Sequence, residues 1–160
     1  MGCDERISVH VRVDDLSTHE VQGLVAEHLS AMRGHSPPGH AHALAIESLR
    51  APGITFWSAW RDERLCGCGA LKELDTRTGE VKSMRTRATC LRQGVGQAIL
   101  DTIVSASLDR GYDHLYLETG TGPPFDAAHA LYRRNGFVPC SAFGGYVATD
   151  FNVFMVKVLA

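Results

Sequence analysis

Residues 90–100 read Cys-Leu-Arg-Gln-Gly-Val-Gly-Gln-Ala-Ile-Leu and join a strand-like stretch to a helix-like stretch. Two glycines in this loop, Gly94 and Gly96, leave the backbone N–H groups uncovered and let a ligand approach without meeting a Cβ atom. The first amides of a helix lack an intrahelical acceptor, and the helix dipole adds partial positive charge at that end. The segment therefore predicts a binding site for a phosphate or a pyrophosphate.

The spacing of the loop narrows the class of phosphate ligand. A P-loop reads Gly-x-x-x-x-Gly-Lys-Ser/Thr. In this chain, neither Lys nor Ser or Thr follows the second glycine of the loop. A dinucleotide fingerprint needs a third glycine at the position of Ile99 and an acidic ribose partner about twenty residues further on, for which Glu118 is a candidate. The pattern therefore disfavours a nucleotide-binding enzyme and leaves a two-glycine turn that opens a long amphipathic helix.

The 160 residues are 44% hydrophobic and 21% charged, which is typical of one globular domain, here residues 1–160, with a normal core. A net charge of −2 disfavours nucleic-acid binding, and the chain lacks the run of eighteen apolar residues that would predict a membrane span. The five cysteines lack the spacing of a metal site, and Cys66 and Cys68 would share one strand face. We expect reduced thiols in a cytoplasmic protein without a bound metal.

The spacing of apolar residues predicts the order of the secondary-structure elements. Alternation over 7–13 predicts a first strand, and a capping box of Ser17 and Glu20 predicts the start of a first helix. The later predictions are a loop over 35–41, a helix over 42–49, strands over 54–60, 65–74 and 80–86, a helix from the glycine loop to Gly111, a strand over 115–118, a helix over 126–135 and a strand over 151–159. A short extra strand near Val138 would be ended by Pro139.

A second motif, Leu-Tyr-Arg-Arg-Asn-Gly-Phe at residues 131–137, ends the helix after the next strand. The glycine loop and this motif, in this order, resemble the GNAT superfamily of acyl-CoA-dependent N-acetyltransferases. The acetyl-CoA loop of that family reads Arg/Gln-x-x-Gly-x-Gly/Ala, and a later helix commonly ends Leu-Tyr-x-x-x-Gly-Phe. The sequence of residues 82–86, Lys-Ser-Met-Arg-Thr, resembles that of a subgroup of small bacterial members of the family. The chain departs from the pattern at Leu91, beside which Arg92 supplies a charge, and at Phe125, where the family often has Asn.

The resemblance implies an α/β (α+β) fold, the GNAT fold, with a mixed and mostly antiparallel sheet of six to seven strands and four helices. In that fold the fourth and fifth strands splay apart, and the pantetheine arm of acetyl-CoA lies in the gap. The implied cofactor-binding residues are the backbone of Met84, Arg85 and Thr86, the pyrophosphate loop of Arg92, Gln93, Gly94, Val95, Gly96 and Gln97, and the side chains of Phe125 and Tyr132.

Acetyl transfer to an amine needs a base for the ammonium, a donor for the oxyanion and an acid for the departing thiolate. Glu80 is the first candidate base. It would share a strand face with Lys82, Met84 and Thr86, and would lie at the entrance of the gap if that face looks into the cleft. Alternatively, Glu80 is solvated at the edge of a turn. Glu118 on the next strand is the second candidate, with a structural hydrogen bond as the alternative, and Glu73 is the third.

Tyr132 is the candidate general acid. The resemblance implies that its hydroxyl approaches the sulfur of CoA and protonates the thiolate; alternatively, the hydroxyl only orients the cofactor. A backbone N–H near Met84 or Thr86 would bind the oxyanion. An acetyl-cysteine intermediate is disfavoured, because none of the five cysteines lies on the cleft-facing loop with a His partner.

Together these observations predict an N-acetyltransferase that moves an acetyl group from acetyl-CoA to a primary amine of a small molecule or peptide, by direct transfer in a ternary complex. We expect no nucleic-acid or membrane partner, and a homodimer is common in the family. Loops 35–41 and 141–150 would determine the acceptor. The alternative is a catalytically weak CoA-binding sensor or interaction module, which the departures at Leu91 and Phe125 support.

Overall fold

The computed structural model describes residues 8–31 and 46–159, and its described strands form one sheet. The strands are β1 (His10–Val13), β2 (Ile54–Arg61), β3 (Arg64–Glu73), β4 (Thr78–Thr86), β5 (His114–Gly120), β6 (Val138–Cys140) and β7 (Asn152–Val158). Their order in the sheet is β1-β2-β3-β4-β5-β7-β6. The neighbours are antiparallel except for β4 and β5, which are parallel. The predicted mixed and mostly antiparallel sheet is therefore confirmed.

Helices cover both faces of the sheet. They are α1 (His19–Ala31), α2 (Val95–Asp109) and α3 (Asp126–Arg134), and residues 46–49 are also helical. Two apolar clusters fill the core, one with Leu24 of α1 and Ala70 of β3, the other with Ile99 of α2 and Leu71 of β3. Because consecutive residues of a strand point to opposite faces, α1 and α2 lie on opposite sides of β3. None of the described helices is long and apolar enough to cross a bilayer.

The fourth and fifth strands separate in the middle of the sheet. Residues 78–81 of β4 pair with residues 114–117 of β5, and their pairing stops there. Beyond that point β4 still pairs with β3 as far as Thr86, and β5 still pairs with β7 as far as Gly120. One edge of residues 82–86 is thus left without a strand partner among the described residues, and the predicted splay is confirmed.

The start of α1 differs from its prediction. The helix begins at His19, and the hydroxyl oxygen of Thr18 accepts a hydrogen bond of 3.3 Å from the backbone N–H of Val21. Thr18 therefore caps the helix, and the predicted capping box of Ser17 and Glu20 is wrong. Residue 7, the loop over 35–41 and residues 42–45 of the second predicted helix lie outside the described residues.

The short extra strand, β6, continues one residue beyond Pro139, where it was predicted to end. Pro139 lies inside β6, opposite Met155 of β7, instead of ending the strand. β6 is the edge of the sheet, and a proline is accommodated on an edge strand because the missing N–H can face solvent. The sheet has seven described strands, the higher number in the predicted range of six to seven.

Candidate active site

The glycine loop presents free backbone donors at the start of α2. Gly94 has a left-handed backbone with φ of +81°, and Arg92 also has a positive φ of 62°. The backbone N–H groups from Gln93 to Gln97 have no hydrogen-bond acceptor among the described residues. Val95 anchors the loop, because its side chain is buried in the core below. The loop therefore presents consecutive free amides at a helix N-terminus, an arrangement suited to an anion.

Gly96 has a packing role as well as a place in the loop. A Cβ atom at this position would lie 3.2 Å from Leu131 Cδ2, so glycine lets α2 and α3 approach each other closely. The Gln97 side chain also joins these two helices: it exchanges hydrogen bonds of 2.8 and 3.0 Å with the side chain of Asn135. Gln97 can thus offer its backbone N–H to an anion while its side chain is engaged elsewhere.

Met84, Arg85 and Thr86 border the gap between β4 and β5, as predicted. A Cβ atom on Gly69 would meet Met84 Sδ at 2.7 Å, so the Met84 side chain packs across β3 and leaves its backbone at the gap. The register of β3 and β4 shifts near Ser83, which has a positive φ of 57°. This β-bulge was not predicted, because serine is not a residue that favours such a conformation. It turns Met84 and Thr86 toward α2, so the prediction that they share a face with Glu80 and Lys82 is wrong.

Phe125 lies over the end of β5. It closes a short 3₁₀ turn, Pro123–Phe125, that leads into α3. A Cβ atom on Gly120, the last residue of β5, would come within 2.5 Å of the Phe125 ring, so the glycine makes room for it. The aromatic ring therefore borders the gap on the side opposite β4 and gives it an apolar surface.

Tyr132 is buried, with 6% of its surface exposed. Its ring packs edge-on against Phe137 at a centroid distance of 5.6 Å. Burial raises the pKa of the Tyr132 phenol, so the group stays protonated at neutral pH. The hydroxyl has no hydrogen-bond partner among the described residues. This arrangement provides a neutral O–H donor that none of the described residues uses.

Glu80 is held in a cluster of three polar side chains. The residue is 3% exposed, so the alternative of a solvated Glu80 is wrong. The Tyr146 hydroxyl donates a hydrogen bond of 2.6 Å to Glu80 Oε2, and Lys82 Nζ lies 3.6 Å from the same oxygen. Lys82 also donates to the Tyr146 hydroxyl at 3.1 Å. Burial and the nearby Glu80 charge raise the pKa of Tyr146, which keeps it a donor.

Glu118 stands where the two strands part. It follows Leu117, the last residue of β5 that pairs with β4, and it is partly exposed. Burial raises the pKa of Glu118, and the negative charge of Glu80 raises it further. The side chain of Asn152 and the ammonium of Lys82 act in the opposite direction. The two carboxylates therefore differ in environment: Glu80 is buried and hydrogen-bonded, whereas Glu118 is partly exposed.

The third carboxylate candidate is not brought to the gap. Glu73 is exposed at the end of β3, opposite Gly79, and its backbone N–H donates to Gly53 O. That end of the sheet is the paired end of β4 and β5, away from the splay. Among the described residues, no group of three or more His, Cys, Asp or Glu side chains is arranged to hold a metal ion.

The family model for the Acetyltransferase (GNAT) family matches residues 21–137. The chain belongs to the GNAT family. This GNAT chain is 50% identical over 151 residues to the protein named "Uncharacterized N-acetyltransferase YsnE" of Bacillus subtilis (strain 168), which covers 94% of this chain and 100% of the relative. The sequence-based prediction of an acyl-CoA-dependent N-acetyltransferase is confirmed by the family and by this relative.

Solved structures show the same fold at low identity. A GNAT-family acetyltransferase of Staphylococcus aureus Mu50 aligns with a TM-score of 0.75 at 19% identity, over 96% of this chain and 100% of that one. An acetyltransferase of Bacillus subtilis solved in complex with CoA aligns with a TM-score of 0.73 at 15% identity, over 96% and 100% of the two chains. The GNAT fold of this chain is therefore confirmed.

Proposed function

We propose that this GNAT enzyme transfers the acetyl group of acetyl-CoA directly to a primary amine of a small molecule or peptide in a ternary complex. The observation that carries the proposal is the gap between β4 and β5, with Glu118 at the point where the strands separate, together with the free amides at the start of α2. A neighbour of the same fold binds CoA, which supports the choice of donor. The cytoplasmic location and the homodimer stay predictions.

The chain has a complementary surface for each part of the donor. The free N–H groups from Gln93 to Gln97 suit a diphosphate, because several donors and the positive end of α2 converge there. The open edge of residues 82–86 suits the two amides of a pantetheine arm, which would add to β4 as a short strand. Phe125 adds an apolar wall next to this edge.

The chemistry assigns one proton transfer to each of two residues. Glu118 takes a proton from the acceptor ammonium, and the free amine nitrogen then bonds to the thioester carbon. As the carbon–sulfur bond breaks, the thiolate takes the proton of the Tyr132 hydroxyl. The new amide nitrogen gives up its second proton, which restores the Tyr132 hydroxyl, and Glu118 releases the first proton to solvent. A backbone N–H near Met84 or Thr86 binds the oxyanion that forms between these steps. We prefer Glu118 to Glu80 as the base, because Glu80 is buried and already bonded to Tyr146.

The proposed activity is tested by incubating the protein with acetyl-CoA and a panel of primary amines. Chromatography would measure the CoA that is released with and without each amine. We expect release that depends on both the protein and at least one amine. If calorimetry detects CoA binding but no amine raises the release above background, the alternative of a CoA-binding sensor or interaction module is favoured.

Gly94→Ala is expected to weaken CoA binding about fivefold to tenfold. A residue with a Cβ atom at a φ of +81° costs about 1–2 kcal/mol, so the loop would leave the conformation in which its amides converge. Calorimetric titration with CoA measures the change. Gly111→Ala is the matched control, because Gly111 has a φ of +79° and lies beyond the other end of α2. Equal CoA affinity in the two variants would contradict the role of the loop.

Glu80→Gln is expected to move the acid limb of the kcat/KM profile to lower pH. The charge of Glu80 helps to raise the pKa of Glu118, so Glu118 loses its proton at lower pH once that charge is removed. Lys82, Tyr146 and Asn152, which also face Glu118, are retained. The same amine is used for both proteins, so the ionisation of the acceptor is common to both profiles. An acid limb that stays in place or moves upward would contradict Glu118 as the base.

A further inference from the structure

Tyr146 connects the acceptor loop to the strand that borders the gap. It belongs to residues 141–150, between β6 and β7. Its ring contacts Phe143 and Phe154 at centroid distances of 5.2 and 5.8 Å, so the ring helps to hold the loop on β7. Its hydroxyl reaches β4, where it donates to Glu80 and accepts from Lys82. The hydroxyl therefore binds β4, whereas the ring packs mainly on the loop and on β7, with Lys82 Nζ of β4 also 5.8 Å from the ring centroid.

The hydroxyl links the loop to β4 by a hydrogen bond to a carboxylate. A hydrogen bond to an ionised carboxylate contributes more than one between neutral groups, and burial increases its effect. Glu80 is 3% exposed, so water cannot readily take the place of Tyr146. Lys82 supports the same geometry from one position further along the same face of β4. If the hydroxyl is lost, Glu80 loses the hydrogen bond from Tyr146, and the Tyr146 side chain keeps only the 5.8 Å approach of Lys82 Nζ to its ring as a contact with β4.

We propose that Tyr146 is a positioning residue that fastens loop 141–150 to β4 through Glu80 and Lys82 and so sets the shape of the amine pocket. The proposal rests on the proposed function, since it assigns the acceptor side of the same site. Tyr146 does not take part in the proton transfers, which belong to Glu118 and Tyr132. It acts on the acceptor through the position of the loop.

Tyr146→Phe tests the proposal because phenylalanine keeps the ring and removes only the hydroxyl. Tyr116→Phe is the matched control: Tyr116 contacts Phe143 at 5.0 Å in the same aromatic group, and its hydroxyl has no hydrogen-bond partner among the described residues. Backbone hydrogen exchange of the CoA-free protein would be followed by mass spectrometry. We expect exchange over 141–150 to become about fivefold to tenfold faster in Tyr146→Phe and to stay unchanged in Tyr116→Phe.

Kinetics separates positioning from a purely structural role. In Tyr146→Phe we expect the KM for the amine to rise about fivefold, while kcat and the KM for acetyl-CoA change less than about twofold. Exchange over 141–150 that is unchanged, or equally faster in Tyr116→Phe, would overturn the proposal, as would an unchanged KM for the amine. If no amine is acetylated at all, the proposed function fails, and the exchange experiment still decides whether Tyr146 fastens the loop.

Discussion

Tyr132→Phe is expected to lower kcat by about a hundredfold or more, because general acid catalysis contributes about 10²–10⁴ to a rate. Burial raises the pKa of the Tyr132 phenol, so the hydroxyl carries its proton at neutral pH. The ring contact with Phe137 is kept in the variant, and the lost hydroxyl leaves no described partner unpaired. Steady-state kinetics measures kcat, and calorimetry with CoA should give a Kd within about twofold of the wild-type value.

Tyr112→Phe is the matched control for this variant. Tyr112 is also buried, and its hydroxyl has no partner among the described residues, but its ring packs at Gly79 near the paired end of β4. We expect wild-type kcat in this control. If Tyr132→Phe turned over at the wild-type rate, the assignment of Tyr132 as the acid would be lost, and the alternative that it only orients the cofactor would remain.

Glu118→Gln is expected to lower kcat/KM at neutral pH by about 10²–10⁴, because the ammonium form of the acceptor then has no base. The loss should shrink as the pH rises toward the pKa of the acceptor, about 10 for an alkyl amine, because more of the amine is already free in solution. Measurement of kcat/KM from about pH 6 to about pH 10 would separate this recovery from a folding defect, which would not be reversed by raising the pH.

Glu73→Gln provides a control for the loss of one carboxylate. Glu73 is exposed at the end of the sheet where β4 and β5 are paired, so its kcat/KM profile should match that of the wild-type enzyme. The opposite pattern, with Glu118→Gln active and Glu80→Gln inactive, would make Glu80 the base. In that case the Tyr146 hydroxyl would have to move away from Glu80 when the acceptor binds.

The order of strands and helices could be predicted because local patterns specify it. Alternation, glycine positions and apolar spacing are properties of short segments, and the splay followed from the resemblance. The start of α1 was misassigned because Ser17 and Thr18 are adjacent and both are good capping residues. Pro139 was taken as the end of a strand because the sequence does not show that β6 is an edge.

Cys66 and Cys68 show that a β-bulge can break the alternation of side chains between the two faces of a strand. Cys66 and Cys68 were predicted to share a face, but Cys66 packs in the cluster below α2 and Cys68 in the cluster with α1. The register of β2 and β3 shifts between Ala59 and Trp60, whose partners are Gly67 and Leu65, so Cys66 is an extra residue in β3. A bulge of this kind moves one side chain to the opposite face of the sheet, and the sequence pattern does not reveal its position.

In the candidate site, too, residues in local motifs could be predicted, whereas long-range contacts could not. The glycine loop and Tyr132 lie in short motifs, so sequence alone could single them out. Tyr146 was missed as an individual residue because its partner Glu80 lies 66 positions away in the chain, in a different strand. Lys82 was noted only as a neighbour on the same face. Contacts of this range depend on where a loop folds back onto the sheet, and no local pattern reports that.

The paired side-chain amides of Gln97 and Asn135 connect the proposed diphosphate site at the start of α2 to the proposed proton donor, Tyr132. The backbone N–H of Asn135 donates a hydrogen bond to the backbone oxygen of Tyr132, so the pair of amides is joined directly to the proposed acid. Disturbing Gln97 would therefore misalign the phenol as well as loosen CoA. A descendant that gave up turnover but still sensed CoA could discard the Tyr132 hydroxyl at little cost, whereas it would have to retain Gln97 and Asn135.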